Sequence, residues 1–91
     1  MELDGFQATS EHLTDGTFVV SVTGELDLYT VPELERALLG ADGSGSVVVE
    51  LSQCTFIDST ALGMLLAANR RLGLAGARLS IVAPSAGVRQ P

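Results

Sequence analysis

The sequence contains no lysine, and its only basic side chains besides a single histidine are five arginines, against eleven aspartates and glutamates. The formal net charge is therefore −6 at pH 7 over 91 residues. Proteins that neutralise nucleic-acid phosphates, or that dock on anionic membranes, need clusters of lysine or arginine. No such cluster exists here, so the composition excludes direct nucleic-acid binding and argues against docking on a membrane surface.

Cysteine and histidine are almost as rare, with one of each, Cys54 and His12. A single cysteine cannot form an internal disulfide, and this pair cannot make an ordinary zinc site. The chain starts with acidic residues where a secretion signal is basic, so we expect a reducing, cytoplasmic compartment. The longest apolar run, residues 61–68, is too short to span a bilayer. We therefore expect no metal, no cofactor and no membrane partner.

Hydrophobic periodicity predicts one α/β domain with the element order β-β-α-β-α-β. The first two strands flank an Asp-Gly turn and are expected to form an antiparallel hairpin. Thr30 and Glu33 are predicted to form a capping box at the start of the first helix, after a connecting loop at residues 24–29. The predicted strands are residues 6–13, 17–23, 47–51 and 78–83, and the predicted helices are residues 30–41 and 58–73.

The later elements carry further expectations. Residues 47–51 are a nearly continuous apolar run, which is typical of a strand covered on both faces. Gly63 is interpreted as permitting close packing of the second helix, and Pro84 with Ser85 resembles another helix start. Leu62, Leu65, Leu66, Asn69 and Leu72 recur with a helical period in the second helix, and Asn69 is interpreted as a polar group on the helix surface in an otherwise apolar stripe.

The stretch of residues 47–68 is the most specific part of the sequence. Within it, residues 56–63 read FIDSTALG and match consecutively the turn that follows a buried strand and opens a helix in STAS domains. Residues 24–27 (GELD) match the Gly-Glu-hydrophobic-Asp loop of that family, and residues 79–85 (LSIVAPS) are similar to its fourth strand and following turn. Over nearly its whole length, the sequence resembles the STAS-domain family of bacterial anti-sigma factor antagonists.

The resemblance implies a mixed β-sheet in the predicted order, with helices packed mainly on one face. It also implies a regulatory protein. In this family the serine that matches Ser59 is phosphorylated by the anti-sigma factor, which is itself a serine kinase. The unphosphorylated antagonist binds this kinase and frees the sigma factor, and a metal-dependent serine phosphatase restores that form. The chain is thus expected to regulate transcription indirectly, in a stress response, with these two enzymes as partners.

Ser59 is the phosphorylation site that the resemblance implies, and its predicted place at a helix start fits that role. There its hydroxyl is exposed, and free amide groups can hold phosphate oxygens. A phosphate adds about −1.5 to −2 charges, beside Asp58 and, if the loop packs as in the family, near Glu25 and Asp27. We expect partner contacts at these three carboxylates and in the first helical turn, at Thr60, Ala61 and Leu62.

Each of these residues also has a structural interpretation. Asp58 is a candidate N-cap, and without this context an Asp-Ser-Thr sequence at a helix start is ordinarily only a cap. Glu25 and Asp27 could be solvated loop carboxylates, and Thr60 is a second, less favoured phosphate acceptor. Gly24 is interpreted as a backbone requirement rather than a contact.

Other functions require features that the sequence lacks. A serine hydrolase needs a Gly-x-Ser-x-Gly turn and a later histidine, but Ser59 lacks flanking glycines and His12 precedes it. A phosphatase with Asp58 as nucleophile usually has a second aspartate where Thr60 stands. We therefore expect no enzyme activity. The alternative within the same fold is a STAS scaffold module of a stress-signalling complex, without a phosphoswitch.

The family pattern continues past the position of Pro91 with a further helix. We therefore expect residues 1–91 to form a single STAS domain without the usual C-terminal helical part. Either the natural chain is longer or its end is unusually short. Because uncovered apolar strand faces favour association, the sequence leaves the oligomeric state open.

Overall fold

Four strands form one sheet in the order β1-β2-β3-β4, in a computed structural model that describes residues 5–82. β1 pairs with β2 antiparallel, and β2, β3 and β4 are parallel. The predicted element order is confirmed, and the predicted helix start at Pro84 and Ser85 lies outside the described residues. The elements are β1 (Gln7–His12), β2 (Thr17–Leu26), α1 (Val31–Leu38), a 3₁₀ turn (Leu39–Ala41), β3 (Ser46–Ile57), α2 (Ser59–Leu74) and β4 (Arg78–Val82).

The predicted hairpin between β1 and β2 is present. Leu13 N–H donates to the Thr17 carbonyl at 2.8 Å, and Gly16 N–H donates back to Leu13 at 3.1 Å. Gly16 has a φ of 90°, which residues with a side chain rarely adopt. The Asp-Gly pair therefore fixes the antiparallel register at this end of the sheet.

The core lies on one face of the sheet, where alternate residues of β2 and β3 are buried. Both helices bury their apolar residues in this same cluster, so the prediction of helices on one face is confirmed. The opposite face is different, because Val48 and Glu50 are only half-buried. The prediction that β3 is covered on both faces is therefore wrong for the part of the chain that the structure describes. The buried strand residues are Phe18, Val20, Val22 and Leu26 of β2 and Val47, Val49, Leu51, Cys54 and Ile57 of β3.

β2 and β3 are both longer than the sequence pattern indicates. Residues 24–26, predicted as loop, belong to β2, and residues 52–57 belong to β3. Two register shifts in the β2–β3 pairing, between Ser21 and Thr23 and between Gly24 and Glu25, let the strands continue through residues that break the apolar alternation. As a result Leu26 pairs with Ile57, and both strands end together.

The buried face of α2 differs from the predicted stripe. Leu65 and Leu72 are buried as predicted, but Leu62 and Leu66 are exposed, and two alanines complete the buried face instead. Small alanine side chains let a helix approach the sheet closely, and hydrophobicity alone does not show this. Gly63 has no atom within 4 Å of where a Cβ would lie, so its interpretation as a packing glycine is also wrong. The four buried residues are Ala61, Leu65, Ala68 and Leu72.

Candidate functional site

The candidate site lies where β2 and β3 end side by side. Asp58 follows β3 directly, and its backbone N–H donates to the carbonyl of Leu26, the last residue of β2, at 3.1 Å. The next residue after β2 is Asp27, which begins a loop to α1, and the next after Asp58 is Ser59, which begins α2. The parallel pairing therefore places the GELD and FIDSTALG segments next to each other.

Asp58 is the N-cap of α2, which confirms its structural interpretation. Its backbone is extended, with φ −99° and ψ 176°, and its Oδ1 accepts from Ala61 N–H at 2.9 Å. Its other carboxylate oxygen, Oδ2, accepts from Leu28 N–H in the loop after β2, at 3.2 Å. One carboxylate thus holds both the first turn of α2 and the neighbouring loop.

Ser59 is the first residue of α2, and it is exposed together with Thr60 and Leu62. The side chain of Ala61 is different, because it is fully buried in the core. The first turn of α2 therefore presents three of the four predicted residues to solvent, and Ala61 contributes to the site only through the backbone N–H that Asp58 caps.

The loop between β2 and α1 is held by its own side chains. Asp27 Oδ1 accepts from the N–H groups of Tyr29 and Thr30, at 2.9 and 3.1 Å. The Thr30 hydroxyl donates to the Glu25 carbonyl and accepts from Asp27 N–H, both at 2.8 Å. Asp27 is therefore half-buried and structural, whereas the Glu25 side chain is exposed.

The predicted capping box at α1 is wrong. Thr30 occupies the N-cap position but makes no side-chain cap hydrogen bond, because its hydroxyl is used within the loop. Glu33 does not reach back to Thr30 and instead forms an ion pair with Arg36, one turn further along α1. The same sequence pattern is compatible with a capping box and with the observed loop. The Thr30 hydroxyl forms the loop because it bonds to the backbone of Glu25 and Asp27.

Replacing Thr30 with valine is expected to destabilise the protein by about 1–3 kcal/mol, because it leaves Asp27 N–H without its acceptor in a part-buried loop. Thr30 is only 5% exposed, and valine has nearly the same shape. Urea unfolding measures the change. Thr60→Val, at an exposed threonine, is the matched control and should shift stability by less than about 0.5 kcal/mol. Equal effects of the two substitutions would contradict the role given to the Thr30 hydroxyl.

The two segments that meet at Ser59 carry exposed apolar side chains, and the sequence interpretation missed this feature. Leu28 and Tyr29 at the tip of the loop are 59% and 76% exposed, and Leu66, two turns along α2 from Ser59, is 71% exposed. The sequence shows an apolar pair inside the predicted loop, but not whether its side chains are exposed. We call Leu28, Tyr29, Ser59, Leu62 and Leu66 the Ser59 surface.

The surroundings of Cys54 and Glu50 shift the pKa values of these two side chains. Burial raises the pKa of the Cys54 thiol, whose Sγ lies 3.8 Å from the Val22 carbonyl oxygen, so the nucleophilic thiolate is disfavoured. Hydrogen bonds from the hydroxyl and N–H of Ser52 lower the pKa of Glu50.

Within residues 5–82, no three acidic, histidine or cysteine side chains are grouped so that they could hold a metal ion. In the same range, no helix has both the length and the apolar character needed to span a membrane.

Comparison with known families decides the identity of the fold. The sequence profile of a family described as "Mlab, STAS domain" matches residues 9–91. The chain belongs to the STAS domain family. The FIDSTALG turn and the GELD loop, which the structure brings together, both lie within the matched residues.

Among characterised STAS proteins, the chain is similar to anti-sigma factor antagonists. It is 44% identical over 54 residues to the anti-sigma-B factor antagonist of Staphylococcus aureus, an alignment that covers 57% of this chain and 50% of that protein. The chain thus spans about half the length of the curated relatives that it matches.

Two solved structures of antagonists share the fold. An anti-sigma factor antagonist from Mycobacterium paratuberculosis is 34% identical, with a TM-score of 0.74, over 91% of this chain and 73% of that chain. The antagonist SpoIIAA, solved in its unphosphorylated form, is 25% identical, with a TM-score of 0.74, over 90% of this chain and 74% of that chain. These similarities confirm the predicted fold class, and the two similar structures are both of anti-sigma factor antagonists.

Proposed function

We propose that this STAS domain is an anti-sigma factor antagonist that is switched at Ser59. In the unphosphorylated state it binds an anti-sigma factor through the Ser59 surface and thereby releases a sigma factor. The anti-sigma factor acts as a serine kinase on Ser59, and a metal-dependent serine phosphatase removes the phosphate. The domain is the substrate of both enzymes rather than an enzyme, and it acts in the cytoplasm, where transcription takes place.

One observation carries this proposal: Ser59 is exposed at the start of α2, where the helix and the neighbouring loop both carry exposed apolar side chains. Large apolar groups on a surface are typical of protein–protein contacts, and aromatic residues such as Tyr29 are enriched at their centres. The named relatives support the type of partner, since they are antagonists of anti-sigma factors. The structure of SpoIIAA, described as unphosphorylated, supports phosphorylation as a relevant modification.

The proposed chemistry is a phosphoryl transfer from ATP. The oxygen of the Ser59 hydroxyl forms a bond to the γ-phosphorus, the bond from that phosphorus to the ADP oxygen breaks, and the hydroxyl proton passes to a base of the kinase. A phosphate at the first position of α2 lies where the helix dipole favours negative charge. Within the domain the modified serine is therefore tolerated without refolding.

At the interface the same phosphate is unfavourable. It adds about −1.5 to −2 charges next to the Asp58 carboxylate, in a chain that already carries a net charge of −6. An interface built on apolar groups must then desolvate a dianion, and a like charge on the partner would repel it. A loss of about 3–4 kcal/mol corresponds to a few hundredfold in affinity, which is sufficient for a switch.

The experiment that tests the proposal starts from candidate anti-sigma factor kinases of the same genome. The domain is incubated with each kinase and Mg-ATP, and the phosphorylated residue is mapped by mass spectrometry. We expect a single phosphate on Ser59, none on Ser59→Ala, and normal phosphorylation of Thr60→Ala. A phosphate on Thr60, or unchanged phosphorylation of Ser59→Ala, would overturn the assignment of Ser59.

A further inference from the structure

The carboxylate of Asp58 connects the two halves of the Ser59 surface. Its Oδ1 accepts from Ala61 N–H in α2 at 2.9 Å, and its Oδ2 accepts from Leu28 N–H at 3.2 Å, from a loop 30 residues earlier in the chain. An N-cap needs only the first of these bonds. The second bond adds nothing to the cap, and it fixes the backbone of the residue that carries an exposed leucine and precedes the exposed Tyr29.

We propose that Asp58 is a positioning residue that holds the Leu28–Tyr29 tip beside Ser59, so that the loop and α2 present one preformed surface to the anti-sigma factor. The inference rests on the proposed function, which supplies the partner, and goes beyond it by assigning the residue that builds the surface. Asp58 itself takes no part in phosphoryl transfer.

The loop needs such a link because the side chains at its tip are mostly exposed in the part of the chain that the structure describes. Asp27 and Thr30 fix the turn internally, but the side chains of Leu28 and Tyr29 extend into solvent. A loop backbone that must be ordered on binding lowers affinity through lost conformational entropy. A backbone bond to Asp58 removes part of that cost before the partner arrives.

Asp58→Asn separates the two functions of this carboxylate. Asparagine is as good an N-cap as aspartate, and its single oxygen can still accept from Ala61 N–H. The other terminal atom is then an NH₂ group, which cannot accept from Leu28 N–H. The loop bond is lost and the helix cap is kept. Glu11→Gln is the matched control, because it removes one negative charge from an exposed side chain of β1, at the other end of the sheet.

The chain offers two direct readouts of the loop. Tyr29 is the only tyrosine and there is no tryptophan, so the intrinsic fluorescence anisotropy reports on the tip itself. The NMR order parameter of the Leu28 N–H is expected to fall from about 0.85 in the unmodified protein toward about 0.6 in Asp58→Asn. The order parameter of Ala61 should stay unchanged in both variants, since the helix cap is retained.

Binding is measured by calorimetry with the unphosphorylated domain and the anti-sigma factor identified by the kinase experiment. We expect Asp58→Asn to bind about three- to tenfold more weakly, with a melting temperature close to that of the unmodified protein. Glu11→Gln should keep a rigid Leu28 and change affinity less than Asp58→Asn. This combination would support the positioning role over a loss of charge alone.

Two results would overturn the inference. One is an unchanged order parameter at Leu28 in Asp58→Asn, and the other is a mobile tip with unchanged affinity. If the unmodified domain binds no anti-sigma factor, the proposed function fails. The order parameter then still decides whether Asp58 holds the tip, although the surface would serve a different partner.

Discussion

Replacing Ser59 with glutamate is expected to weaken binding to the anti-sigma factor by at least about tenfold, whereas Ser59→Ala should bind nearly as well as the unmodified domain. The carboxylate places a charge on the Ser59 surface, directly after Asp58. It carries about half the charge of a phosphate, so its effect is a lower bound on that of the natural modification. Calorimetric titration measures all three affinities.

The control for this substitution is Ser10→Glu, on the edge strand β1. Ser10 is exposed and pairs with Val20, six residues before the end of β2, so it lies about 20 Å along the strand from the candidate site. It adds the same charge to the whole molecule and should leave the affinity within about twofold. Similar losses in Ser59→Glu and Ser10→Glu would show that net charge, rather than the Ser59 surface, controls binding.

The second large effect is expected at Gly24, where alanine should destabilise the protein by about 2–4 kcal/mol. Gly24 has a φ of 90°, and a Cβ there would collide with the carbonyl oxygen of Gly5 and lie 2.9 Å from its carbon. The backbone strain and the clash with the Gly5 backbone both destabilise the folded state. Thermal unfolding should show a decrease of more than about 10 °C in Tm.

Gly63→Ala is the matched control for Gly24→Ala, since both substitutions add one methyl group. Gly63 lies inside α2 with open space around it, so alanine should stabilise the protein by up to about 1 kcal/mol through its helix propensity. Opposite signs for the two glycines would confirm that Gly24 is a backbone requirement of the GELD segment. A neutral Gly24→Ala would contradict it.

The sequence predicted the order and type of the elements because these depend on local periodicity. Helical spacing, an Asp-Gly turn and apolar β-branched runs are each visible within a window of about ten residues. The ends of β2 and β3 were missed because they depend on register shifts between strands that are far apart in the chain. Strand pairing, rather than local preference, extends both strands to the site.

In the candidate site, too, the features set by local sequence were predicted and those set by distant contacts were not. Asp58 as an N-cap and the exposed Ser59 follow from the FIDSTALG segment alone, and the structure agrees with both. The burial of Ala61, the loop role of Thr30 and the exposure of Leu28 and Tyr29 could not be predicted in this way. Each depends on contacts with residues of another element, and the Asp58–Leu28 bond spans 30 positions.

The most direct test of the switch is the dissociation constant of the anti-sigma factor complex, measured with the domain before and after stoichiometric phosphorylation of Ser59. We expect the phosphorylated form to bind at least about a hundredfold more weakly, and treatment with a serine phosphatase to restore the original value. Equal dissociation constants for the two forms would contradict a switch at Ser59.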